Sequence, residues 1–96
     1  MGLFVVRHQH DAARCPAGSP EMGSMLLRHL AAPSAAAHGI TIHGEAVVDG
    51  AHTLYLILEA PGKENVDRFM QPFGQVGTVE VWPASRCEAV VSRGRC

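Results

Sequence analysis

The sequence has no marked excess of charge, no long apolar run and few cysteines, and each shortage removes a class of protein. Eight basic residues stand against nine acidic ones, a formal charge of −1. The chain therefore lacks the basic footprint with which nucleic-acid binders engage phosphates. The first apolar stretch, LFVV at Leu3–Val6, meets Arg7 at once, whereas an export signal needs an apolar centre of about 7–15 residues. Valine at position six also excludes the myristoylation pattern. No run approaches the roughly 20 apolar residues of a membrane-crossing helix. The expectation is a soluble, cytoplasmic protein with no nucleic-acid or membrane partner. Its three cysteines, Cys15, Cys87 and Cys96, are an odd number, and without an export signal they read as free thiols rather than a disulfide framework.

What is present is an apolar fraction of 47 % in 96 residues, enough for one domain with its own core. A domain of this size buries a modest share of its surface, so self-association would help it. Six histidines, His8, His10, His29, His38, His43 and His52, are scattered along the chain. Histidine is the commonest metal ligand and titrates near neutral pH.

Period-two alternation marks strands at Leu3–His10, Ile40–Val48, Thr53–Ala60 and Thr78–Trp82. Asp11–Gly18 reads as a loop and Asp49-Gly50 as a hairpin turn. A helix starts at Ser19 as N-cap, with Pro20 at its first position and Glu21 favoured by the dipole. Met22, Met25, Leu26, His29 and Leu30 form its apolar stripe. Pro33 should break it and Gly39 end it. A second helix carries Val66, Phe69, Met70 and Phe73 and is limited by Pro72.

The order βαββαβ is the ferredoxin-like α+β arrangement, a four-stranded antiparallel sheet with two helices on one face. It would occupy residues 1–83, with a tail at 84–96 whose CEAVV could add an edge strand or reach a partner. The helix-covered face would carry Ile40, Ile42, Leu54, Leu56, Leu58, Val79 and Val81, joined by Leu3 and Val5. The other face would carry His8, His10, His43, Glu45, Tyr55, Glu59, Glu80 and Trp82 among Phe4, Val6, Val47 and Ile57. Such a face is too apolar for water, and a second subunit is expected to cover it and leave a cleft between two sheets.

With RHQH closing strand one and HTLYLILEAP in the hairpin, this combination resembles the dimeric α+β-barrel superfamily, nearest its small nickel-binding and muconolactone-isomerase-like members. The resemblance runs from Leu3 to Trp82 and rests on element order and length. It implies a homodimer whose sheets face each other around a pocket for a metal ion or a small molecule. The Asn/Trp/His pattern of the haem-degrading members is missing, and Cys15 and Cys87 depart from the isomerases. Members differ widely in chemistry, so the fold does not supply the function.

His8 and His10, at i and i+2 on a strand, emerge from one face roughly 6–7 Å apart. Cys15 and His43 are the next candidate ligands, and two imidazoles with a thiolate suit nickel, copper or zinc. The H-x-H motif alone is weak; its bland reading is a polar strand end. A metal-free isomerase or monooxygenase is the alternative, with His43, Glu45, Tyr55 and Glu80 as its acid/base candidates. An accessory subunit with a polar interface is the third reading. Met22, Met25, His29 and Met70 read as helix core rather than a copper box. The dipeptide Cys15-Pro16 reads as a loop thiol rather than a haem ligand, His38 as a helix-end residue, and His52 as a solvated turn residue.

Overall fold

The computed structural model describes residues 1–96. Its strands are β1 (Gly2–Gln9), β2 (Thr41–Val48), β3 (Thr53–Ala60) and β4 (Thr78–Ala84). They lie in the order β2-β3-β1-β4, every neighbouring pair antiparallel. The helices are α1 (Pro20–Leu30), α2 (Ala32–Ala37), α3 (Lys63–Phe69), α4 (Gln71–Gly74) and α5 (Cys87–Arg93). This is the ferredoxin-like α+β fold.

Local chemistry sets the helix limits. The Met22 N–H donates to the Ser19 hydroxyl at 3.4 Å, and Pro20 occupies the first turn of α1. Pro33 sits in the first turn of α2, where its missing N–H is not needed. Gly39 follows α2 with φ +76°, a left-handed position that suits glycine. Pro72 likewise opens α4, so the second helical region divides at Met70. The core packs Leu26, Ala35, Val66, Phe69 and Phe73 of the helices, with Met70 between α3 and α4, against Leu56, Leu58 and Ala60 of β3.

The structure corrects three expectations, two of them through strand register. Phe4, Val6 and His8 face Leu58, Leu56 and Leu54 directly, and they are 7 %, 0 % and 2 % exposed. Strand one therefore gives Phe4, Val6 and His8 to the helix side, and Leu3 and Val5 to the open side. Residues 3–6 are all apolar, so alternation within them carries no phase; pairing with β3 supplies it.

In β2 a bulge lies between Ile42 and Gly44, leaving His43 unpaired. The extra residue inverts everything after it. Glu45 and Val47 oppose Leu56 and Leu54 on the helix side, whereas Ala46 opposes Tyr55 on the open side. Glu45 is thus not on the face expected for it. The CEAVV segment, finally, is helical within α5 and not an edge strand.

The junction between α4 and β4 depends on Gly77. Its φ is +153°, and a Cβ there would collide with the carbonyl oxygen of Gln9. The close approach holds the start of β4 against the end of β1, where the histidines lie.

Candidate metal centre

Three short segments converge at the end of β1. His10 is the residue after the strand, and its N–H donates to the His52 carbonyl at 3.1 Å. His52 closes the turn between β2 and β3 with φ 50°, left-handed and unusual for a non-glycine residue. Two single-turn 3-10 helices, Ala12–Arg14 and Pro16–Gly18, fold the next loop back. Cys15 joins them: its N–H donates to the Ala12 carbonyl, and its own carbonyl accepts from Gly18.

These segments bring His10, Cys15 and His52 together. One ligand atom from each lies within 4.8 Å of the other two, and all three residues are half-buried. A tetrahedral ion with bonds of about 2.0–2.3 Å needs its donors roughly 3.5 Å apart, so small side-chain rotations close the set. The imidazole rings of His10 and His52 are edge-to-face at 5.1 Å.

The electrostatics favour ligation. Both ring nitrogens of His10 are buried with no hydrogen-bond partner, a state that costs free energy unless something binds them. Desolvation first, then the His52 charge, pushes the His10 pKa below 6.5, while Asp11 opposes the shift. Neutral imidazole, the form that binds metals, is therefore favoured.

His8 stands behind this group. It is 2 % exposed, its ring lies 5.3 Å from that of His10 and 5.2 Å from that of Phe73, and its Nε2 has no partner. Burial, followed by the His10 charge, lowers its pKa, against the carbonyls of Phe73 and Val76.

Of the other candidates, His43, Glu80 and Tyr55 lie apart from the cluster. His43 is on the open side, with Nε2 at 2.7 Å from Glu59 Oε1. Glu80 is paired there with Arg7 at 2.8 Å, and Tyr55 is on the same side. Glu45 instead lines the helix-side cleft that also contains His10, Cys15 and His52. The sheet thus divides the acid/base candidates between its two faces. His29 and His38 belong to the helices: His29 Nε2 is 2.6 Å from the Phe69 carbonyl, and His38 Nδ1 is 3.0 Å from that of Ser34. Cys15, Cys87 and Cys96 are all free thiols, and Cys87 and Cys96 are exposed.

Sequence reasoning missed His52. Its signal was the hairpin register: Gln9 opposes Thr53, so the residues next outward, His10 and His52, must meet.

No helix is long and apolar enough to cross a membrane. No curated protein and no solved structure matches the chain. The match that does exist extends from β1 through α5: the model of DUF3303, a domain of unknown function, covers residues 3–94, and the chain belongs to that family.

Proposed function

We propose that this protein binds one nickel, copper or zinc ion through His10, Cys15 and His52. The observation that carries the reading is the convergence of two imidazoles and a thiol within 4.8 Å. That donor set suits these metals. Cys15 gives up its proton on binding, and the histidines enter neutral. His8 packs against His10 from the core and restrains its ring; His43 takes no part. Three protein donors leave one coordination position for water or a ligand, and a bound ion would act there as a Lewis acid. Three free thiols fit a reducing cytoplasm.

A homodimer goes with this reading. Ile57, Val5 and Trp82 lie side by side across the open face, and Ile57 and Trp82 are 48 % and 42 % exposed. Ion pairs flank this row, Arg7–Glu80 on one side and His43–Glu59–Arg86 on the other. An apolar centre with a charged rim suits a self-complementary contact with a second copy. The metal-free isomerase or monooxygenase has less support, because the sheet parts Glu45 from His43, Tyr55 and Glu80, and His43 and Glu80 are each already engaged in an ion pair.

The test is elemental analysis of untagged protein purified without chelator, followed by titration with Zn, Ni and Cu. Near-stoichiometric metal should be found in the parent and lost in His10→Ala, Cys15→Ser and His52→Asn. A parent that holds no metal after all three titrations would sink the proposal.

A further inference from the structure

The three donors line one wall of a cleft of about 680 Å³ between α1, the β2–β3 hairpin and Phe73. That volume falls in the usual range for small-molecule sites, about 300–1,000 Å³. The remaining walls are largely apolar: Leu26, Leu27 and Leu30 from α1, Val47 and Leu54 from the hairpin. Leu27 and Val47 are 68 % and 60 % exposed, so the cleft offers unfilled apolar surface.

Its charge is one-sided. The carboxylates lining it are Glu45 and Asp49, and no Lys or Arg lines it. A carboxylate or phosphate ligand would meet like charge with no lysine or arginine to receive it, and an ion held by imidazole and thiolate favours nitrogen or sulfur over such oxygens. A neutral molecule meets no such barrier. The fourth coordination position of an ion held by the three residues supplies an anchor for a donor atom, and donors of the same class as histidine and cysteine suit it.

We infer that the cleft binds an uncharged, mainly apolar small molecule bearing one nitrogen or sulfur donor, which completes the coordination of the ion at His10, Cys15 and His52. The inference rests on the proposed metal site and names the class of ligand that site takes. Ligand and ion share one pocket: the donor atom reaches the metal, and the apolar body lies along α1 and the hairpin.

The experiment uses the full chain loaded with Co²⁺, whose visible absorption reports coordination. It is titrated with 4-phenylimidazole, with imidazole and with hexanoate. 4-Phenylimidazole should shift the cobalt spectrum and bind at least about tenfold tighter than imidazole, a modest effect for an apolar group entering a pocket. Hexanoate should bind more weakly than 4-phenylimidazole. Gly23 lines the cleft, and a Cβ there would meet nothing closer than the Pro16 carbonyl at 3.6 Å. Gly23→Leu should therefore fill the space, weakening 4-phenylimidazole at least about tenfold while leaving cobalt and imidazole binding unchanged. Leu27→Ser, at an exposed position, should weaken 4-phenylimidazole in the same selective way. Equal affinity for the two imidazoles, tighter binding of hexanoate, or no selective effect in either variant would overturn the inference and leave the metal site standing. Absence of any cobalt spectrum would overturn the metal site, and the inference with it.

Discussion

The N–H of His10 donates to the carbonyl of His52 across 3.1 Å. This bond continues the β1–β3 ladder one step beyond Gln9 and Thr53. Two residues far apart in sequence are therefore held together by backbone register. Cys15 reaches them through two single-turn helices that begin immediately afterwards. The geometry of the donor set follows from how the sheet ends, and a ligand group held by backbone loses less freedom on binding than one on a loose loop.

His52→Asn separates ligation from folding. Asparagine tolerates the left-handed backbone that His52 adopts at φ 50°, so stability should stay within about 0.5 kcal/mol of the parent. Metal affinity should fall by more than about a hundredfold, beyond the loss seen when an outer-shell partner is removed. Urea unfolding of the metal-free protein beside a metal-competition titration checks both halves. Undiminished affinity would remove His52 from the site.

His43→Ala should leave metal affinity unchanged, because His43 lies across the sheet with Glu59. Its effect falls on pH dependence. The His43 hydrogen bond is the largest influence holding the Glu59 pKa below 4.5; partial desolvation opposes it, and the His43 charge and Arg86 add to it. A carboxyl depressed in the folded state contributes stability above its unfolded pKa and loses it as pH falls through the folded value. The Glu59 carboxyl resonance should therefore titrate below 4.5 in the parent and closer to 4.5 in the variant. Identical midpoints would show that the pair does not form in solution.

The four strands, the two helical regions between them and their order were legible in the sequence because turns and caps punctuate it; the helical character of α5 was not. The facing of β1 was not, since Leu3, Phe4, Val5 and Val6 present apolar groups to both sides. The facing of β2 was lost at His43, where the bulge adds one residue; Gly44 beside it was the available signal, glycine within a strand often marking such a site. His10 and Cys15 were legible as chemistry-bearing residues by type and proximity. His52 was not, because its place beside His10 depends on pairing at the hairpin end, a long-range fact. His43 was drawn toward the site only by placing His8 and His10 on the open face.

Gly77→Ala should destabilise the fold by more than about 1 kcal/mol, because alanine is strained at positive φ. At φ +153° its Cβ would also strike the Gln9 carbonyl oxygen. The end of β1 would have to move, and His10 with it. Thermal unfolding should show a lower midpoint, and metal titration of the folded variant should show weakened binding. A variant as stable as the parent would mean that the close approach of β4 to Gln9 does not hold in solution.

Ile57→Lys tests the open face as a subunit contact. Ile57 lies beside Val5 and Trp82 in the central row of that face and is 48 % exposed, so a lysine there costs a monomer little. In a symmetric dimer the same change introduces two like charges into the apolar centre of the contact. Loss of a central anchor costs about 2 kcal/mol or more, a weakening of about thirtyfold or greater. Sedimentation equilibrium should find the parent dimeric and the variant dissociating at far higher concentration. Metal stoichiometry should be the same in both, because His10, Cys15 and His52 lie at the helix-side cleft. A parent that sediments as a monomer would remove the dimer and leave the metal site intact.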